Sequence, residues 1–182
     1  MKLNKLIAIA TISLLSGGIS MAQKALNLED IVAGNIIQTK GIGSMTWLKD
    51  GERYSRLENN KQTGGTDIVA YRAKDNSREV IIPSSLLTDK STGRPIPVRS
   101  VSWSADNEKI LIYNNTRRVW RYDTRGDYWV LNLKDGALRQ LGKGMPESSM
   151  MFAKFSPDGT RVAYVSNNNI YVEDIDLSLI HI

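Results

Sequence analysis

The sequence predicts an all-β fold built from repeated antiparallel sheets. Short runs rich in Val, Ile, Tyr and Trp recur between clusters of turn residues along most of the chain. Past residue 32, no stretch shows the sustained apolar period near 3.6 that an amphipathic helix requires. A motif of an aromatic strand end, a tight turn and an apolar strand occurs three times. Together these observations favour a β domain over a helical or mixed one.

The first 22 residues predict a secretory signal peptide. Lys2 and Lys5 form a basic start, residues 6–15 are apolar, and residues 20–22 end in alanine, which predicts cleavage after Ala22. The apolar run is shorter than the roughly 20 residues that span a bilayer, which disfavours a transmembrane anchor. We therefore expect an exported protein, periplasmic or on the outer cell surface, and a tethered form on that side stays open.

The composition excludes several kinds of site. The chain has 24 basic and 19 acidic residues, and because its basic residues are scattered rather than clustered on one face, we expect no nucleic-acid partner. It has no cysteine, which excludes disulfides and thiolate sites. Its one histidine is His181, so residues 23–176 can form neither a Ser-His-Asp triad nor a multi-histidine metal site. We predict no catalytic residue, metal or cofactor in this chain.

Residues 23–43 are predicted to be a lead-in that contains one short helix. Asn27 can cap the free amides of this helix, and Glu29 and Asp30 lie in its first turn, where the helix dipole favours negative charge. The expected helix is about two turns long and ends near Val32. The β domain is predicted over residues 44–176.

The strands of this domain are predicted from short β-branched and aromatic runs between turn signals. They are Ser44–Leu48, Arg53–Leu57, Asp67–Arg72, Glu79–Ile82, Arg99–Trp103, Lys109–Asn114, Tyr128–Leu133, Ala137–Leu141, Met151–Phe155, Arg161–Val165 and Ile170–Glu173. The turn-rich segments between them, residues 88–95 and 142–149, are predicted to be surface loops.

The repeated motif predicts how these strands are arranged. Val101–Tyr113 matches Ala153–Val165 at an offset of 52, and a weaker copy, Met45–Tyr54, precedes the first of these by 56. A repeat of roughly 50 residues that holds about four strands has the size of one β-propeller blade. We therefore predict a partial β-propeller, its first two to three blades of four-stranded antiparallel sheet. The alternative is a β-sandwich whose hairpins look alike.

Each copy of the motif has the chemistry of a tight hairpin turn. In the last copy, Asp158 can bond to nearby amides and Gly159 accepts the positive φ that closes the turn. Asn107 can take the place of this glycine in the middle copy, because asparagine tolerates positive φ better than most residues.

Two further motifs carry a resemblance to a known family. Ser156–Val165, followed by Asn168–Val172, resembles the propeller of dipeptidyl peptidase IV. Tyr113–Asp123, which continues into Gly126–Leu133, is similar to the segment of that family in which a tryptophan-arginine pair precedes a tyrosine-rich return strand. The resemblance spans residues 26–176. The chain is thus identified as the N-terminal propeller region of a dipeptidyl peptidase IV-like serine peptidase, of the prolyl oligopeptidase superfamily and the S9 family.

The resemblance implies a secreted parent exopeptidase that releases N-terminal dipeptides with proline or alanine at the second position. It implies a peptide substrate, no cofactor, a homodimeric parent, and a C-terminal α/β-hydrolase domain that carries the serine triad outside this chain. This chain alone is then expected to be inert. The competing hypothesis is a non-enzymatic exported propeller, TolB-like or WD-like, that binds a partner.

The resemblance assigns one substrate-binding residue, Arg121. In the family, the arginine after the tryptophan reaches into the central cavity and donates hydrogen bonds to the carbonyl oxygen of the substrate's second residue. A guanidinium suits this role because it is always charged and offers several donors. From spacing alone, the alternative is an ordinary strand arginine paired with Asp123 or Asp127, with Trp120 filling a gap between blades.

The sequence has no counterpart of one substrate-binding feature of the family. The family's pair of adjacent glutamates, which binds the substrate amino group, has no counterpart because no two glutamates adjoin in this sequence.

The repeat pattern breaks at the end of the chain. When the last two repeats are aligned, Leu177 and Ser178 take the place of the turn residues Asp135 and Gly136. Residues 177–182 resemble a translated sequencing adaptor, so we predict a non-native tail after Asp176. Comparison of the coding DNA with the adaptor tests this hypothesis.

Overall fold

The computed structural model describes residues 27–32, 41, 43–176 and 180–181. The chain divides into two compact units, Met1–Gly41 and Ile42–Ile182. The described part of the first unit contains the helix α1 (Leu28–Val32), which has five residues and is therefore shorter than the two turns predicted. The predicted signal peptide lies outside the described residues. No helix in the described part of the chain is long and apolar enough to cross a membrane.

The described residues of the second unit form three four-stranded sheets and one two-stranded sheet. Each four-stranded sheet is an antiparallel meander whose strands pair in sequence order. The first sheet holds β1 (Met45–Trp47), β2 (Arg53–Asn59), β3 (Thr66–Arg72) and β4 (Arg78–Ile82); the small sheet holds β5 (Thr88–Asp89) and β6 (Arg94–Pro95); the second holds β7 (Ser100–Trp103), β8 (Lys109–Val119), β9 (Tyr122–Asn132) and β10 (Leu138–Gln140); the third holds β11 (Met151–Phe155), β12 (Arg161–Ser166), β13 (Asn169–Asp174) and β14 (Ile180–His181).

The all-β prediction and the partial propeller are confirmed, with each four-stranded sheet forming one blade. Two predicted strands were too short, because β8 continues to Val119 and β9 begins at Tyr122. The connector over residues 88–95 was predicted to be a loop, but it contains the paired strands β5 and β6, preceded by a 3-10 helix over Ser84–Leu87. In β14, Ile180 and His181 pair with β13 as the fourth strand of the third blade.

The turn predicted from the repeat closes the first hairpin of the second and third blades. In the third blade the Ser156 hydroxyl donates to Asp158 at 2.5 Å, and Gly159 has a φ of 68°. In the second blade the Ser104 hydroxyl donates to Asp106 at 2.6 Å, and Asn107 takes the glycine position with a φ of 59°. In the third blade, hydrogen bonds chiefly from the Ser156 hydroxyl and the Thr160 amide hold the pKa of Asp158 down at about 2.

Apolar side chains fill the two spaces between consecutive blades. Ile68 and Ile82 of the first blade pack with Ile110, Ile112 and Leu131 of the second. On its other face, the second blade packs against the third in a separate buried cluster, in which Leu111, Tyr128 and Val130 of the second blade contact Val162, Tyr164 and Tyr171 of the third. The second blade is therefore covered on both faces, which explains why its strands are runs of apolar residues between turns.

Candidate substrate-binding hairpin

Strands β8 and β9 extend beyond the other strands of their blade. Each has 11 residues. The neighbouring strand β7 pairs with β8 only as far as Tyr113, and β10 pairs with β9 only from Trp129 onward. The remaining residues of β8 and β9 pair with each other and end in a two-residue turn between Val119 and Tyr122. Within the described chain, this hairpin therefore projects from the second blade.

Arg121, the residue assigned from the resemblance, lies in that turn. Its side chain is exposed, and its carbonyl accepts a hydrogen bond from the Arg118 guanidinium at 3.4 Å. Trp120, the other turn residue, has a φ of 62° and is 94% exposed. The alternative in which Trp120 fills a gap between blades is therefore wrong in this structure.

The carboxylates offered as alternative partners of Arg121 are engaged elsewhere. Asp123 pairs with the Arg99 guanidinium at 3.3 Å. Asp127 accepts hydrogen bonds from the Asn115 side-chain amide at 2.7 Å and from the Ser148 backbone amide at 2.8 Å. Among the described residues, no side chain binds the Arg121 guanidinium, which leaves its donors available to a ligand.

A tyrosine below the tip holds the projecting strands together. The Tyr113 hydroxyl donates to the carbonyl oxygens of Asp123 and Arg125, at 2.9 and 3.0 Å. Its ring stacks on Tyr128, with the two ring centroids 4.8 Å apart. Burial, followed by the nearby Tyr128 and Asp123, raises the pKa of Tyr113 to about 12. Tyr113 is therefore held in its neutral form, which donates both hydrogen bonds.

The base of the hairpin needs a residue without a side chain. A Cβ at Gly126 would meet the ring of Tyr113 and would lie 2.6 Å from the Asn114 carbonyl oxygen. Gly126 also exchanges backbone hydrogen bonds with Met150 of the loop before β11, at 3.0 and 3.1 Å. The hairpin is therefore joined to the third blade as well as to its own.

A network of side-chain hydrogen bonds holds the other side of the base of the hairpin. The Asn115 side-chain amide donates to Asp127 and also to Glu147 at 2.9 Å, and the Ser148 hydroxyl donates to the Asn115 carbonyl at 2.6 Å. Beside these residues lies an open pocket of about 630 Å³. No group of three or more acidic or histidine side chains in the described part of the chain is placed to hold a metal ion.

The projecting hairpin lies in a part of the chain that resembles known proteins. Residues 104–181 match the family model described as the dipeptidyl peptidase IV (DPP IV) N-terminal region. This match includes the whole projecting hairpin. Residues 104–181, and with them the hairpin, are thus similar to the N-terminal region of dipeptidyl peptidase IV.

Two fungal proteins are similar to this chain over most of its length. A probable dipeptidyl-aminopeptidase B of Aspergillus terreus is 24% identical over 169 residues, which cover 88% of this chain and 18% of that protein. Dipeptidyl aminopeptidase B of Saccharomyces cerevisiae is 27% identical over 152 residues, which cover 78% of this chain and 17% of that protein. The chain thus spans less than a fifth of the length of these relatives.

A solved structure shares the fold. The crystal structure of Porphyromonas gingivalis dipeptidyl peptidase 4 matches with a TM-score of 0.63 and 23% identity, over 87% of this chain and 22% of that one. The likeness supports the partial propeller.

The sequence analysis assigned Arg121 but none of the residues that hold its hairpin in place. In the sequence, Tyr113 is only the first residue of a motif and Gly126 only one residue of the return segment. The sequence signal for the roles of these two residues is weak, because neither interrupts the pattern of its strand. Their roles depend on contacts between β8, β9 and the third blade that a single strand does not reveal.

Proposed function

We propose that this chain is the N-terminal propeller region of an exported serine exopeptidase that releases N-terminal dipeptides, with proline or alanine preferred at the second position. In this proposal Arg121 donates hydrogen bonds to the carbonyl oxygen of the substrate's second residue. The observation that carries it is the Arg121 guanidinium, exposed at the tip of a braced hairpin and bound by no other described side chain. The dipeptidyl peptidase IV match over this hairpin supports it.

The chemistry of the tip fits the role. A guanidinium offers five N–H donors and stays charged across the working pH range, so it can fix a backbone carbonyl without titrating. The bracing by Tyr113 and Gly126 limits the movement of the tip, which reduces the entropy lost when a substrate is positioned. The serine triad of the proposed enzyme lies in an α/β-hydrolase domain outside this chain.

Turnover by the full-length protein tests the proposal. The purified protein should release the chromophore from a Gly-Pro chromogenic substrate, and the 182-residue chain alone should not. A full-length protein that is inert on this substrate, or whose reading frame contains no GxSxG nucleophile elbow, contradicts the assignment. Fractionation of the native cells tests export separately, because the protein should be recovered outside the cytoplasm without residues 1–22.

A further inference from the structure

Two bulky aromatic residues have backbone conformations that usually select small or polar residues. Sixteen of the described residues have a positive φ, and fourteen of them are Gly, Asn or Ser. The other two are Trp120, with a φ of 62°, and Phe152, with a φ of 58°. A bulky side chain is a genuine outlier in this region, because its Cβ crowds the backbone. Both positions therefore carry a conformational cost that asparagine or glycine would reduce.

Neither side chain offsets this cost by packing. Trp120 is 94% exposed and Phe152 is 63% exposed, whereas Tyr128 and Tyr164, which do pack between blades, are 7% and 1% exposed. Burial is the usual reason for an aromatic side chain in a β domain. Strained residues that packing does not explain occur preferentially at ligand-binding sites.

Both residues belong to the framework that carries Arg121. Trp120 is the other residue of the turn. Phe152 lies in a bulge of β11, where β11 has one residue more than β12 between Met151 and Lys154. The backbone of Ala153 and Phe152 lies near the Tyr128 hydroxyl and lowers its pKa against the larger, opposite effect of burial. Tyr128 stacks in turn on Tyr113, the residue that holds the hairpin.

We propose that Trp120 and Phe152 contact the substrate and bind apolar side chains of the peptide whose carbonyl Arg121 engages. This inference rests on the function proposed above and adds a substrate class to it, peptides with apolar side chains near the amino terminus. An extended peptide offers backbone carbonyls for a guanidinium and apolar side chains for aromatic faces, so it matches both features of this surface. The exposed aromatic faces lose water only when such a ligand is bound.

Asparagine substitutions in the full-length protein separate contact from strain. Trp120→Asn and Phe152→Asn remove the aromatic face but keep a residue that tolerates positive φ. Each variant should keep or raise the Tm, while kcat/KM for an apolar peptide substrate falls at least about fivefold, mainly through a higher KM. Ile170→Asn is the matched control, because Ile170 is also exposed (67%) but has no positive φ and lies on β13. This control should leave kcat/KM unchanged.

Each other outcome contradicts one of the two proposals. If wild type is active and both variants keep its kcat/KM, the aromatic residues do not contact substrate, and the proposed function stands. If both variants lose Tm, their aromatic side chains are structural and the inference fails. If the wild-type protein turns over no dipeptidyl substrate, the proposed function fails, and this inference fails with it.

Discussion

The Tyr113 hydroxyl lies 2.9 Å from the carbonyl oxygen of Asp123, across the projecting hairpin. The contact joins Tyr113, the last residue of β8 that pairs with β7, to the second residue of the return strand, two positions after Arg121. Because β8 and β9 pair with their outer neighbours only up to Tyr113 and Trp129, this contact replaces the bracing that a neighbouring strand would give. The position of Arg121 therefore depends on a residue in the body of the blade.

Removal of the Tyr113 hydroxyl should loosen the tip. Tyr113→Phe keeps the stack on Tyr128 but leaves the carbonyls of Asp123 and Arg125 without this donor, which should lower the free energy of unfolding by about 0.5–1.5 kcal/mol. Chemical denaturation of the two proteins measures the difference. Hydrogen exchange at residues 117–125 should also be faster in the variant. Equal exchange in both proteins would show that the hydroxyl does not brace the hairpin.

The same residue predicts a dependence of stability on alkaline pH. The pKa of Tyr113 rises from 10.0 to about 12 in the folded protein, mainly through burial. Because the folded pKa is the higher one, the stabilisation is complete below pH 10 and is lost as the pH rises through about 12. The difference in unfolding free energy between wild type and Tyr113→Phe should therefore shrink over this range. A difference that stays constant from neutral pH to pH 12 contradicts this prediction.

Gly126 should not tolerate a methyl group. Gly126→Ala places a Cβ against the Tyr113 ring and 2.6 Å from the Asn114 carbonyl oxygen, so the free energy of unfolding should fall by about 1–3 kcal/mol. Thermal or chemical unfolding measures it. In a Tyr113→Ala background the ring contact is gone and the same substitution should cost less. An equal cost in both backgrounds would show that the ring does not limit this position.

Glu173 should be a second sensitive position, between the second and third blades. Its carboxylate is buried, accepts the Gly142 amide at 2.8 Å and faces the Arg139 guanidinium at 3.7 Å. Glu173→Ala should cost about 1–3 kcal/mol in unfolding free energy, because it leaves the half-buried Arg139 guanidinium and the Gly142 amide without this acceptor. Glu173→Gln keeps an acceptor oxygen and should cost less.

Glu79 provides the control for Glu173. It pairs with Arg53 at 3.2 Å, but its side chain is 67% exposed, so Glu79→Ala should cost less than about 1 kcal/mol. Similar costs for Glu79→Ala and Glu173→Ala would contradict a burial-dependent role for Glu173.

The blades could be predicted from sequence because their strands are covered on one or both faces. Burial imposes apolar runs, and the turns between them need Asp158, Gly159 or a residue such as Asn107. These signals are local, so the repeat gave both the strands and their grouping into sheets.

The projecting hairpin could not be predicted in the same way. Residues 115–126 are mostly polar or charged and, among the described elements, no third strand covers them, so no apolar alternation marks β8 and β9 there. The turn at Trp120 and Arg121 contains none of the residues that usually mark a two-residue hairpin. Arg121 was assigned only through the resemblance to a family. The bulge at Phe152 had no signal, because phenylalanine is a poor choice for positive φ.

The role of Arg121 is tested most directly by kcat/KM of the full-length protein on a Gly-Pro chromogenic substrate. Arg121→Ala should lower kcat/KM by well over about tenfold at unchanged Tm, because donors to the substrate carbonyl are lost while no described side chain loses a partner. Arg94→Ala, which removes an exposed arginine from β6, should leave it unchanged. An Arg121→Ala enzyme with the wild-type kcat/KM would contradict the substrate-positioning role of this hairpin.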